Sequence, residues 1–188
     1  MIEVIRAAGE LQTVCEQQAW RFCFIGGLAL VRWGEPRETV DVDLTLLTGF
    51  GTEKPFVELL LSCFEGRVEH PQEFALKYRV LLLRAKSGVG LDIALGALPF
   101  ESSAVARSSL FTFPGDMVLR TCSAEDLVVM KSFAARGKDW VDVEGVIVRQ
   151  TGSLDWNYIY EQLRPLVELK GSPEILEQLA QRRREFEH

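Results

Sequence analysis

Two aspartates alternate with apolar residues in the segment from Val40 to Leu47. Side chains two residues apart in a strand point to the same face, so Asp41 and Asp43 would lie side by side. Like charges at that distance repel each other, and a bound divalent cation reverses that cost. The pattern is typical of a site for Mg²⁺ or Mn²⁺, but an exposed strand face with solvated acids explains these two residues equally well.

A third carboxylate, Asp92, is flanked by Leu91 and Ile93 in another candidate strand. If that strand pairs beside the first, three carboxylates converge, and oxygen ligands of this kind suit Mg²⁺. Two ions roughly 3.5–4 Å apart can activate an attacking oxygen and stabilise a leaving pyrophosphate. On its own, Asp92 is more often a surface or ion-paired acid.

A glycine pair, Gly26-Gly27, follows the short apolar run that ends at Ile25. Glycines between a strand and a helix let backbone N–H groups approach a phosphate, and the helix dipole favours the same anion. A tight turn that requires positive φ is the alternative explanation. Neither a Walker loop nor a dinucleotide fingerprint occurs in the sequence.

The composition narrows the chemistry further. His70 and His188 are the only histidines, which leaves little material for a zinc site or a histidine-based triad. The net charge of −6 does not favour nucleic acid binding overall. No apolar run approaches the roughly 20 residues of a membrane helix, and the N-terminus lacks the features of a secretory signal. We therefore expect a cytoplasmic protein without a membrane partner.

The spacing of these motifs resembles a known signature. An apolar strand, Gly26-Gly27, a spacer of 13 residues and the Asp41-x-Asp43 strand are similar to the DNA polymerase beta nucleotidyltransferase superfamily. The form Arg37-x-Thr39-x-Asp41-x-Asp43 resembles the AbiEii-type toxin nucleotidyltransferases and their minimal relatives.

The resemblance implies roles for individual residues. Asp92 would be the third carboxylate of the metal site, and Gly26, Gly27, Arg37 and Thr39 would contact the nucleotide. A weaker match in the C-terminal half, Asp126 to Lys131 and Arg136 to Asp142, implies that Lys131 binds the triphosphate and that Asp139 lies near the site. The alternatives are a solvated lysine at Lys131, a helix cap formed by Asp139 with Asp142, and a surface loop residue at Arg37.

The elements that must position these residues change character near Ser123. Before it we predict helices and strands in alternation: a helix from Ile2 to about Trp20, a strand at Phe22–Ile25, a helix after Gly27, the Val40–Leu47 strand, a helix at Pro55–Phe64, a hairpin of Tyr78–Ala85 and Val89–Leu95, and short strands at Leu110–Phe113 and Met117–Cys122. After it we predict only helices: Ser123–Ala135, closed by Gly137, a second to about Gln150, Asp155–Leu169 with a kink or break at Pro165, and Ser172–Glu185.

The fold predicted from these elements is α/β (α+β), a nucleotidyltransferase fold whose small mixed sheet is flanked by helices. Residues 1–122 would form the core and residues 123–188 a helical part packed on it as one compact unit. The predicted activity is metal-dependent transfer of a nucleoside monophosphate from a nucleoside triphosphate to a hydroxyl. The acceptor stays open: an RNA end such as that of tRNA, a protein or a small molecule. A non-catalytic nucleotide-binding module, or a toxin-like protein held off by an antitoxin-like partner, is the alternative.

Overall fold

The computed structural model describes residues 1–187, and His188 lies outside the described residues. Within residues 1–187 there are seven strands: β1 (Phe22–Phe24), β2 (Asp41–Leu47), β3 (Glu65–Gly66), β4 (Val80–Arg84), β5 (Gly90–Gly96), β6 (Ser109–Phe113) and β7 (Met117–Thr121). The same part of the chain holds nine helices: α1 (Ile2–Gln17), α2 (Gly26–Trp33), α3 (Lys54–Cys63), α4 (Pro71–Tyr78), α5 (Pro99–Arg107), α6 (Ala124–Ala134), α7 (Gly137–Arg149), α8 (Trp156–Lys170) and α9 (Glu174–Phe186).

All seven strands form one mixed sheet in the order β3-β4-β5-β2-β1-β7-β6. The pairs β2–β5 and β1–β7 are parallel, whereas the other neighbours are antiparallel. The predicted α/β class with a mixed sheet is therefore confirmed. The two strands that carry the predicted carboxylates are direct neighbours in the middle of the sheet.

The alternation of residue types in β2 explains which face is buried. Val42, Leu44 and Leu46 are completely buried, whereas Asp41 and Asp43 on the opposite face are only partly covered. Burying three branched aliphatic side chains stabilises the strand by roughly 1.5–3 kcal/mol for each of them. A shift of register by one residue would bury the aspartates instead, so the apolar face holds the acids in position.

Contacts divide the chain into two compact units. The first consists of Met1–Leu28 and Glu38–Cys122 and contains the whole sheet. The second consists of Ala29–Arg37 together with the chain from Ser123 onward, where α6 packs against α7 and α8. One boundary between the two units falls between Cys122 and Ser123. The short segment Ala29–Arg37 is an addition to the second unit that sequence periodicity did not indicate.

Two helices of the first unit were not predicted. Both α4 and α5 begin with a proline, Pro71 and Pro99, in the first helical turn, where the missing N–H and the fixed φ suit a helix start. Because α4 extends to Tyr78, the predicted strand from that residue begins only at Val80. The hairpin itself is confirmed, and Gly88 adopts φ +89° in its turn.

The helical part shows two further differences. Helix α8 continues through Pro165, so the predicted helix does not break there, whereas a kink at that residue stays a prediction. Gly137 begins α7 instead of ending α6, because Ala135 takes the left-handed conformation at the end of α6 with φ +56°. The predicted N-cap is present, since the Ser123 hydroxyl accepts a hydrogen bond from the backbone N–H of Asp126 at 3.1 Å. Among residues 1–187, no helix combines the length and apolar character that crossing a bilayer requires.

Candidate active site

The three predicted carboxylates share one face of the sheet. In the parallel register of β2 and β5, Asp43 lies opposite Asp92 and Asp41 lies opposite Gly90. Residues that are directly opposite each other in neighbouring strands point to the same face, as do residues two apart within a strand. Asp92 therefore lies on the same side of the sheet as Asp41 and Asp43, which is the geometry that a shared metal site requires.

An arginine that the sequence analysis did not single out lies within this group of acids. Arg67 follows β3, and its backbone N–H donates to the carbonyl of Leu82 at 2.9 Å. Its guanidinium donates to the carboxylate of Asp92, and its Nη1 lies 3.8 Å from Oδ1 of Asp41. We call Asp41, Asp43, Asp92 and Arg67 the acidic cluster.

The charges of the acidic cluster act on Asp92. Burial raises the pKa of the Asp92 carboxyl most strongly, the Arg67 guanidinium opposes that rise, and the charges of Asp43 and Asp41 add to it. The net pKa of Asp92 is above its ordinary value. Asp43 and Asp41 are thus close enough to disfavour the charged form of Asp92, and the Arg67 guanidinium acts in the opposite direction.

The two glycines after β1 have different steric constraints. Gly26, the first residue of α2, has φ +56°, and a Cβ there would overlap the Asp43 carboxylate, with its Cγ 2.6 Å away. A Cβ on Gly27 would overlap the side chain of Thr39, whose Cβ would be 2.7 Å away. The Thr39 hydroxyl donates to the carbonyl of Asp41 at 3.1 Å. The predicted glycine turn is therefore in close contact with the carboxylate strand, and it also begins a helix.

The acidic cluster fits a divalent cation in its donor chemistry. Carboxylate oxygens are the ligands that Mg²⁺ and Mn²⁺ prefer, and three of these groups share one partly exposed face. Across the residues that the structure describes, however, no three His, Cys, Asp or Glu side chains already stand in a metal-binding arrangement. Arg67 contacts two of the three acids, so its guanidinium lies close to carboxylate oxygens of the same cluster.

The second unit holds the other charged residues that the sequence analysis singled out. Lys131 of α6 is buried, with its Nζ 2.7 Å from Asp142 and 3.2 Å from Asp139 of α7. Arg37 donates two hydrogen bonds to Asp142, at 2.9 and 3.0 Å, and Arg136 donates to Asp139. We call these five residues the buried ion-pair network.

The network keeps both of its aspartates ionised. Burial alone would raise the pKa of Asp139, but hydrogen bonds and charge from Arg136 and Lys131 outweigh it and lower the pKa. In the same way, burial of Asp142 is outweighed by Arg37 and Lys131, and its pKa is also lowered. Asp139 accepts the backbone N–H of Arg136 at 3.3 Å as well, so the helix-cap alternative for this residue describes a real contact.

Arg37 and Lys131 both form ion pairs with aspartates of α7. Arg37 makes the acid contact that its position allowed, but to Asp142, which the sequence analysis treated only as a cap. Binding of the triphosphate by Lys131 stays a prediction, because its ammonium already pairs with two buried carboxylates. The signal that could have found this arrangement is the i, i+3 spacing of Asp139 and Asp142, which puts both acids on one helix face.

A family model identifies the chain as a nucleotidyltransferase. The model of the family described as nucleotidyl transferase AbiEii toxin, type IV toxin–antitoxin system, matches residues 11–186. The chain belongs to this family, and the predictions of the family and of the enzyme class are thereby confirmed. None of the curated protein sequences matches the chain.

Several solved structures are similar to the chain. An antigenic nucleotidyltransferase-like protein from Paracoccidioides brasiliensis has 16% identity and a TM-score of 0.51, covering 96% of this chain and 93% of its own. The antibiotic-resistance factor ANT(2'')-Ia has 16% identity and a TM-score of 0.47, with coverage of 97% and 90%. The lincosamide antibiotic adenylyltransferase LnuA in its lincomycin-bound form has 15% identity and a TM-score of 0.49, with coverage of 72% and 91%. At 16% identity, the likeness to the first of these shows a shared fold alone.

Proposed function

We propose that the protein transfers a nucleoside monophosphate from a nucleoside triphosphate to a hydroxyl group, with Mg²⁺ or Mn²⁺ held by Asp41, Asp43 and Asp92. The observation that carries the proposal is the register of β2 and β5, in which Asp43 lies beside Asp92 on the face that also bears Asp41. Three carboxylates on one partly exposed face repel each other unless a cation neutralises them. A triphosphate with its metal supplies that cation.

In the first unit, some residues would bind the phosphates and others would position the metal ligands. Gly26 and Gly27 begin α2, so backbone N–H groups of its first turn are available to phosphate oxygens. Thr39 would act indirectly, because its hydroxyl is bonded to the Asp41 carbonyl and supports the start of β2. Asp41, Asp43 and Asp92 would hold the metal, which would supply positive charge that stabilises the leaving pyrophosphate.

The reaction balances with these groups. The acceptor oxygen bonds to the α-phosphorus, the bond between that phosphorus and the oxygen bridging to the β-phosphate breaks, and pyrophosphate leaves. Asp92 would take the proton of the acceptor hydroxyl and pass it to water. Catalysis by such a site consists mainly of orienting the two reactants and neutralising charge.

Family membership supports a toxin whose activity a partner counteracts. We propose that the acceptor is a cellular RNA end, a protein hydroxyl or a small molecule, and that an antitoxin opposes the resulting growth arrest. With a net charge of −6, an RNA acceptor would be held weakly and in a salt-sensitive manner. We further propose that the protein acts in the cytoplasm.

The test uses nucleoside triphosphates labelled at either the α- or the γ-phosphate, incubated with the protein, Mg²⁺ and whole-cell RNA and protein extracts. The α-label should move to the acceptor and the γ-label should leave in pyrophosphate, and Asp43→Asn should abolish both. Movement of the γ-label alone to an acceptor would identify a kinase. Failure of every triphosphate to bind with Mg²⁺ would favour a non-catalytic module of the same fold.

A further inference from the structure

Arg67 occupies the position in the acidic cluster where a positive charge is needed. Its guanidinium contacts Asp92 and lies 3.8 Å from Asp41, so one cation faces two of the three carboxylates. We propose that Arg67 is the internal counter-cation of this site, which offsets part of the carboxylate charge in the metal-free protein and must be displaced when a divalent ion binds. This inference rests on the proposed function, because it concerns the same carboxylates.

The backbone makes room for this ion pair. Gly90, the register partner of Asp41, carries no side chain, and a Cβ there would lie 2.6 Å from Nη1 of Arg67 and overlap the Asp41 carboxylate. Any larger residue at this position would therefore drive the guanidinium and the carboxylate apart. The approach of Arg67 to Asp41 thus depends on a glycine in β5 as well as on the charge of the two side chains.

The Arg67 side chain also has an unused hydrogen-bond donor. Its Nε is buried and has no hydrogen-bond partner within residues 1–187, and a buried donor without a partner is unfavourable. Side-chain exposure is 23% for Arg67, 42% for Asp41 and 33% for Asp92, so water screens part of the attraction. The contact therefore offsets part of the charge of the acids, and it is exposed enough for a divalent ion to compete for the same oxygens.

Arg67 and a divalent ion would compete for the same carboxylate oxygens. A carboxylate oxygen that accepts a hydrogen bond from a guanidinium is not available in the same geometry to a metal, and a nearby cation also repels the incoming ion. Free Mg²⁺ or Mn²⁺ must accordingly displace Arg67, and part of its binding free energy is used in doing so. Removal of the guanidinium should tighten metal binding while making the metal-free protein less stable.

The experiment measures Mn²⁺ binding by electron paramagnetic resonance of the free ion, without nucleotide, together with the melting temperature. Arg67→Gln should bind Mn²⁺ about tenfold tighter than the wild type, a difference of about 1.4 kcal/mol. Its metal-free form should melt at a lower temperature and gain more from Mn²⁺. Arg6→Gln is the matched control, because Arg6 pairs with Glu3 on the exposed surface of α1 and its loss removes the same charge. That control should bind Mn²⁺ like the wild type.

The outcomes separate this inference from the proposed function. Equal or weaker Mn²⁺ binding by Arg67→Gln overturns the role of Arg67, while loss of binding in Asp43→Asn would still support the metal site. Absence of Mn²⁺ binding in every variant overturns both. If Arg67→Gln does not fold, Arg67→Lys decides: an ammonium cannot contact both acids with a planar fork, so binding should tighten by a few-fold. Unchanged affinity in Arg67→Lys would then overturn the inference.

Discussion

Replacement of Gly26 by alanine tests how closely the glycine turn and the carboxylate strand depend on each other. Gly26 has φ +56°, a conformation in which alanine is strained. The added Cβ would also overlap the Asp43 carboxylate, with Cγ at 2.6 Å and Cβ at 2.8 Å. Real Cβ atoms do not approach other heavy atoms so closely, so either α2 or Asp43 has to shift.

The magnitude follows from two separate contributions. The left-handed conformation should cost alanine about 1–2 kcal/mol, and overpacking against Asp43 should cost a further 1–3 kcal/mol or so. Gly51→Ala is the matched control within the same unit, since Gly51 has φ +77° and a Cβ there would meet no atom within 4 Å. Gly51→Ala should therefore show the conformational contribution alone.

The assay is thermal denaturation combined with Mn²⁺ titration. For a chain of this size about 1 kcal/mol corresponds to roughly 2–4 °C, so Gly26→Ala should melt about 2–12 °C below Gly51→Ala. It should also bind Mn²⁺ more weakly, because Asp43 is pushed from its place, whereas Gly51→Ala should bind normally. Equal melting temperatures and equal Mn²⁺ affinities in the two variants would refute the close approach of Gly26 to Asp43.

Three further predictions concern charge. Asp43→Asn should keep the fold, melt at or above the wild-type temperature without metal, and lose Mg²⁺-dependent nucleotide binding; a large loss of stability with binding unchanged would instead make Asp43 structural. Lys131→Met should lower the free energy of unfolding by about 1–3 kcal/mol, because Asp139 and Asp142 lose their shared buried cation although each keeps one arginine partner. Met at the exposed Lys138 should have little effect on urea denaturation. Since the pKa of Asp139 and of Asp142 is lowered by folding, their contribution is present above the ordinary carboxyl pKa of about 3.9 and is lost as the pH falls through their folded values. Urea denaturation should show stability falling below about pH 4, less steeply in Asp142→Asn; a flat profile would contradict the network.

The carboxylate strand was predictable because a single physical rule determines it. Alternation with period two assigns Asp41 and Asp43 to one face, and the same rule applies to Asp92 once its strand is known. The pairing of β2 with β5, and the register that brings Asp43 beside Asp92, depends on long-range packing. The local sequence does not predict that β2 and β5 pair. That pairing was assumed because three converging carboxylates require it.

Arg67 could not be predicted in the same way. It follows a strand of two residues, Glu65–Gly66, which is too short to produce a periodic pattern, and its partners lie 25 or more positions further along or back in the sequence. Its approach to Asp41 also requires Gly90, which in the sequence is indistinguishable from an ordinary turn glycine. The steric fit of these residues appears only in three dimensions.

The buried ion-pair network illustrates a different limit. Family resemblance gave Lys131 a role with phosphate. The i, i+3 spacing of Asp139 and Asp142 puts both acids on one helix face, but it does not indicate that Lys131 is buried against them. Helices α4 and α5 were missed although each begins with proline, because eight or nine residues contain too few apolar positions to define a helical face. Short helices and buried charged side chains are thus determined by tertiary packing, and the residue pattern of the sequence does not reveal them.

The position of Mn²⁺ in a crystal of the protein soaked with the ion and a non-hydrolysable nucleoside triphosphate tests the central claim most directly. Anomalous scattering locates Mn²⁺ independently of the protein atoms. The account predicts a peak about 2.1 Å from carboxylate oxygens of Asp41 and Asp43, with Asp92 beside it and Arg67 withdrawn from Asp92. Bound nucleotide with no peak at these carboxylates, or with Arg67 still paired to Asp92, would contradict it.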